Sequence, residues 1–211
     1  YNVRYSRAAI CQLKLAERLG PAGADFGRWA VEDLAAWARH AYDPADHSFW
    51  ATLRDGTRLS PADIKRPGYV ETRWLEKRPA NGMHFWAYVL AWEFSGDAEM
   101  WRMARSIADG LGLGDIGPTP GGDTASGGPA TPAPALSLDT TFADTDTVFG
   151  LLDLHAATKR PEYLALARRI GDNLVAREFH HGFFVTDADH LFCKFDTVTP
   201  LALLYIEVAS R

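Results

Sequence analysis

The sequence predicts an all-α fold: an α/α toroid, in the form of a partial barrel of helical hairpins with short β links on one rim. Three observations predict it. Seven segments carry helical hydrophobic periodicity, and segments apolar all round alternate with segments apolar on one side. A helix-sized pattern also returns after 63 positions: Glu99, Ala104, Arg105, Ile107, Asp109 and Leu111 reappear as Glu162, Ala167, Arg168, Ile170, Asp172 and Leu174.

The first helix is expected over about 7–19, where Gly20-Pro21 stops it. The second, about 25–41, carries one apolar stripe through Phe26, Trp29, Ala30, Leu34, Trp37, Ala38 and Ala41. A long connection follows, about 42–81, with turn signals at Asp43-Pro44 and Arg66-Pro67-Gly68. Within it, His47-Ser48-Phe49-Trp50-Ala51-Thr52-Leu53 reads as a short strand. The third helix, about 83–94, is apolar nearly all round through Phe85, Trp86, Tyr88, Val89, Leu90 and Trp92, which predicts burial on every side. The fourth, about 98–111, is one-sided through Met100, Ala104, Ile107 and Leu111.

A Gly/Pro-rich stretch, about 112–135, reads as a flexible loop. The fifth helix, about 147–157, is apolar all round. The sixth, about 162–177, is one-sided, and the seventh, about 199–210, is again apolar nearly throughout. The links after the second and sixth helices match as well, His47-Ser48-Phe49-Trp50 against His181-Gly182-Phe183-Phe184. The repeating unit is therefore inner helix, outer helix, then a short strand returning to the next inner helix. Three hairpins and a lone inner helix fall short of the roughly six or seven hairpins of a closed ring. Residues 1–211 are accordingly expected to form the C-terminal portion of a single toroid domain.

The formal net charge of −5 argues against a nucleic-acid partner, which favours a basic face. Two cysteines, Cys11 and Cys193, are too few for a disulfide framework and lack metal-ligand spacing. No apolar run is long enough to span a membrane. The chain opens on Tyr1 rather than Met, so the natural N-terminus is expected upstream.

In this topology the links from outer to inner helices gather at one rim, by the inner-helix N-termini, where exposed N–H groups favour anions. Lys65, Arg66, Arg73, Lys77 and Arg78 form the most basic stretch of the chain. They read either as a carboxylate-binding cluster or as a solvated loop. His84 opens a buried helix, as a sugar or carboxylate contact, a general base, or a hydrogen-bonded core histidine. Of His180 and His181, one would line the cleft, because neighbours on a strand face opposite ways; the same fact argues against a shared metal. Trp50, Trp74 and Trp86 are candidate stacking platforms for sugar rings, with core packing the better reading for Trp86. Asp139, Asp144 and Asp146 precede the fifth helix as caps, or as a glycosidase-type carboxylate pair. The substrate-binding candidates are thus Arg73, Trp74, Lys77, His84, Trp50 and His181.

Three stretches together resemble the C-terminal part of the α/α-toroid pectate lyases grouped with polysaccharide lyase family 2. These are Gly82-Met83-His84-Phe85-Trp86-Ala87-Tyr88-Val89-Leu90-Ala91-Trp92; Met100-Trp101-Arg102-Met103-Ala104-Arg105 with Gly112-Leu113-Gly114-Asp115-Ile116-Gly117; and Phe179-His180-His181-Gly182-Phe183-Phe184-Val185 with Phe195-Asp196 and Pro200-Leu201-Ala202-Leu203-Leu204. The resemblance implies β-elimination on polygalacturonate, an acidic polysaccharide, assisted by a divalent cation (manganese or calcium) held by His and Glu, with an Arg as base. That constellation matches no positions here and is expected upstream, which leaves one wall of the cleft to this chain. A periplasmic or secreted location is favoured over a cytoplasmic one. Two alternatives stay open. One is another toroid sugar enzyme: a glycoside or unsaturated glucuronyl hydrolase using Asp144 or Asp146, or a 2-epimerase using His84 and His181. The other is a non-catalytic, glycan-binding helical repeat.

Overall fold

A computed structural model describes residues 5–64, 71–120, 133–185 and 197–211. Among them are seven α-helices: α1 Tyr5–Leu19, α2 Ala24–His40, α3 Gly82–Ser95, α4 Ala98–Gly110, α5 Thr145–Thr158, α6 Pro161–Glu178 and α7 Thr199–Ala209. Each lies within two residues of the span its periodicity predicts. The chain divides into two compact units, Tyr1–Gly110 and Leu111–Arg211.

In the first unit α1 packs on α2 and on α3, α3 packs on α4, and α2 touches α4. Inner helix therefore lies beside inner helix and outer beside outer, the neighbour relations of a toroid of hairpins. α3 is enclosed as its composition predicts: His84, Phe85, Ala87, Tyr88, Val89, Leu90 and Ala91 are all buried. The Tyr88 hydroxyl donates to the Leu34 carbonyl oxygen at 2.9 Å, so the polar end of this buried ring is satisfied inside the core. α2 and α4 bury one stripe each: Ala30, Leu34 and Ala38 on the first, Met100, Ala104 and Ile107 on the second. Gly27 is a packing requirement, since a β-carbon there would run into the Phe94 ring at the end of α3.

The second unit repeats the pattern with α5 on α6, and with α7 against both. α5 is enclosed through Val148, Leu151, Leu152 and Leu154. Asp144 caps it, accepting from the Thr147 amide and hydroxyl, both at 2.8 Å. α7 departs from expectation. Only Thr199 and Ala202 are buried, while Leu201, Leu204, Tyr205 and Val208 are 45–63 % exposed along one face. An inner helix needs an outer partner on that side; among the described residues of the second unit α7 packs on α5 and α6, with the Tyr205 ring edge-on to Phe149.

The β links are short antiparallel pairs. β1 (Tyr42–Asp43), β2 (Ser48–Phe49) and β5 (Arg78–Pro79) form a sheet in the order β1-β2-β5. β3 (Ala51–Thr52) pairs with β4 (Arg58–Leu59), β6 (Gly114–Asp115) with β7 (Ala135–Leu136), and β8 (Phe179–His180) with β9 (Phe183–Phe184). The β6–β7 pair closes the ends of the Gly/Pro-rich loop, whose residues 121–132 lie outside the described residues. The echo between the two rim links is real but offset by one. Phe49 opposes Tyr42, and Phe184, not Phe183, opposes Phe179. Both ring pairs adopt the same geometry, 5.1 Å apart at 52°. The offset arises in the turns: four residues separate β1 from β2, and only His181-Gly182 separates β8 from β9. His181 and Gly182 have φ of 50° and 89°, as a two-residue hairpin turn requires. Among the described residues no helix is long and apolar enough to cross a membrane.

Candidate functional site

The rim of the first unit is built where α2 ends and α3 begins. The chain leaves α2, forms β1 and β2, and returns through a 3-10 turn (Thr72–Leu75) and β5 to the start of α3. The Trp50 amide donates to the Ala41 carbonyl at 2.9 Å, and the Ala80 amide to the His47 carbonyl at 2.8 Å, so both ends of β2 are held.

Lys77 is the hub of this rim. Its ammonium donates to Asp43 Oδ2 at 2.6 Å and Asp46 Oδ2 at 2.7 Å, and sits 4.7 Å from the centre of the Trp50 ring. The hydrogen bond from Lys77 leads the causes that hold the Asp43 carboxyl at about 2, against an ordinary 3.8. The same contact holds Asp46 below its ordinary value. Burial works to lower the Lys77 ammonium, but its two carboxylate partners outweigh that and raise it.

Arg73 lies on the 3-10 turn, exposed and paired with Glu71. Its carbonyl accepts from Arg78 Nη2 at 3.0 Å, and Arg78 lies 3.9 Å from Glu76. Trp74, on the same turn, is half-buried. Lys65 and Arg66 lie outside the described residues. His84 is buried at 1 % exposure on the third position of α3, where it makes a reciprocal cap. Its amide donates to Asn81 Oδ1 at 3.2 Å, and its Nδ1 accepts from the Asn81 amide at 3.1 Å. When neutral, His84 therefore carries its proton on Nε2. Its ring stacks on Phe49 with centroids 4.7 Å apart. Trp86 is half-buried on the same helix, between the buried Phe85 and Ala87.

The structure thus brings Trp50 and Lys77 into contact and links Arg73 to Arg78. It seats His84 behind Phe49, on the core side of the same sheet. His181 belongs to the second unit, exposed at the tip of the β8–β9 turn. Phe183 follows it, 57 % exposed, and His180 Nε2 lies 2.9 Å from the Arg177 carbonyl.

Sequence reasoning missed two groups. Asp43 reads only as part of a turn signal and Asp46 carries no reading, yet they determine what Lys77 does. Glu178 falls just past the expected sixth helix, about 162–177, and entered no candidate group. It is buried, accepts from the Thr199 hydroxyl at 2.7 Å, and lies 2.6 Å from Arg177. Thr199 in turn lies 3.3 Å from Thr145, so this network joins the starts of α5 and α7 to the end of α6. The only sequence signal was position: an acid at a helix end immediately before a rim strand.

A family model described as periplasmic pectate lyase matches residues 1–211. The chain is also similar to a pectate disaccharide-lyase of Dickeya dadantii (strain 3937), with 23 % identity over 190 residues. That alignment covers 89 % of this chain and 31 % of that protein, so the chain spans about a third of the relative's length. The periplasmic description agrees with the compartment favoured above.

Proposed function

This chain belongs to the periplasmic pectate lyase family, and from that premise we propose that it supplies one wall of a cleft in which polygalacturonate is cut by β-elimination. In that reaction a base takes the proton from C5 and the electron pair forms the C4–C5 double bond. The C4–O bond breaks, and the leaving oxygen is protonated. The proton at C5 becomes acidic enough only when the neighbouring carboxylate is neutralised.

The observation that supports this reading is the rim of the first unit, which offers cations beside aromatic rings at the mouth of an inner helix. Arg73 is the residue best suited to meet a uronate carboxylate. Its pair with Glu71 is exposed, and exposed pairs are weak, so a bidentate substrate carboxylate competes with it. Trp74 on the same turn, and Trp50 against Lys77, offer surfaces for the apolar faces of sugar rings. Lys77 already has two carboxylate partners, and its part in this reading is to hold Trp50 in place. A hydrolase reading is less well supported, because the Asp144 carboxylate is taken up in capping α5.

The family implies a divalent cation. Among the described residues no three or more His, Cys, Asp or Glu side chains gather as such an ion requires, so they do not fit its site and no step is routed through it. Oligogalacturonate binding tests the wall. Arg73→Ala is expected to weaken it about 3–10-fold, the effect of losing one exposed charge-assisted contact. Unchanged affinity would remove Arg73 from the wall.

A further inference from the structure

A hollow lies on the α2 flank of this rim, and the rim candidates do not line it. It opens between the last two turns of α2 and the turn at 53–56 that joins β3 to β4, with a cavity volume of about 260 Å³. Its lining includes Asp33, Trp37 and His40 from α2, and Leu53, Arg54 and Gly56 from the turn. Trp50, Arg73, Trp74, Lys77 and His84 are absent from that lining.

The hollow is built, not incidental. Arg58 ties the β3–β4 hairpin to the end of α2, donating from Nε to the His40 carbonyl at 2.7 Å and from Nη2 to the Tyr42 carbonyl at 3.1 Å. The turn closes on itself through the Gly56 amide to the Leu53 carbonyl at 3.0 Å, and Asp55 accepts from the Thr57 amide at 2.9 Å. Gly56, at φ 88°, lets the His40 ring lie against its backbone; a β-carbon there would collide with the imidazole. Asp33 bonds the Trp37 side chain one turn along the helix, which fixes the indole, and burial raises the Asp33 carboxyl above its ordinary range.

The charge pattern selects the ligand. Arg54 enters no ion pair among the described residues, unlike Arg73 and Lys77, and it lines the same hollow as Trp37. A cation beside an indole, with a second donor ring from His40 and a carboxyl from Asp33, matches a ring that carries an anionic carboxylate, hydroxyls and an apolar C–H face. The volume suits one such ring rather than a chain. We propose that this hollow binds a single sugar-acid residue, its ring against Trp37 and its carboxylate on Arg54. The choice of a uronate rests on the lyase reading; the carboxylate preference rests on Arg54 alone.

Amide and indole NMR of this chain during titration with galacturonic acid, and separately with galactose, tests the proposal. Galacturonic acid should move the Trp37 indole signal and the amides of Leu53 to Gly56. Galactose should bind about tenfold more weakly, as should galacturonic acid to Arg54→Ala. Arg54 is exposed on a turn, so its replacement leaves the fold intact, and Trp37→Phe gives a second variant that keeps a ring. Shifts confined to the Arg73–Arg78 rim, no shifts, or shifts insensitive to Arg54→Ala would overturn it. The two readings fail separately. Binding at Arg54 in a protein that makes no unsaturated product sinks the lyase and keeps this site; product without shifts at Trp37 does the reverse.

Discussion

Lys77 shows how a residue's role is decided by partners far away in the chain. In the sequence it is one of five basic side chains in a loop. In the fold it bridges Asp43 and Asp46, 34 and 31 positions earlier, and faces the Trp50 ring. No local pattern encodes that pairing, because it depends on the register that lays β5 along β2. The consequence can be tested by pH. Asp43 has a depressed value in the folded chain, so its contribution is complete above the unfolded value and is lost as pH falls through the folded one. Acid loosening of the rim is therefore expected between about pH 4 and pH 2, visible as a shift of the Trp50 indole resonance. Lys77→Met should abolish that transition; an unchanged acid profile in the variant would show that Lys77 is not its cause. His84 was legible as a buried helix opener. Its stacking on Phe49 was not, because the two meet only across the sheet.

At the scale of elements, the seven helices were legible because their apolar residues recur at helical spacing or fill all sides, and most are bounded at one end by Gly, Pro or a cap. Asp144 is an example, read from the sequence as a cap and seen as one. Asp144→Ala should lower stability by about 0.5–2 kcal/mol in denaturant melts, with the lyase chemistry argued above unaffected. The links were legible as strands but not in register, since one residue more or less in a turn shifts every later pair. Close approach of helices was not legible at all: Gly27 looks like a neutral helix residue. Gly27→Ala should destabilise the first unit by about 1–3 kcal/mol, because the Phe94 ring must move. A melt within 0.5 kcal/mol of the parent would mean that α2 and α3 have room to part. α7 marks the limit of composition as a guide. Its sequence is that of an enclosed helix, yet Leu204 is 56 % exposed, because burial is a property of neighbours and not of the helix itself.

For the whole molecule, the alternation of enclosed and one-sided helices carried the architecture; the inner-to-inner and outer-to-outer packing of the first unit and the inner-to-inner packing of the second bear it out. The family was legible through structural motifs on α3, α4 and the β8–β9 link, and the family match over 1–211 shows it. The chemistry was less legible, for a physical reason. A base and its cation are defined by side chains converging in space, and the described residues gather no three or more His, Cys, Asp or Glu side chains as a cation site requires. On the function proposed above, the chain is a wall that binds and orients uronates for elimination. The most direct test incubates the protein with polygalacturonate and manganese and follows the unsaturated product by its absorbance. The account predicts steady growth of that absorbance. No absorbance change, together with hydrolysis of a different glycan by the same protein, would contradict it.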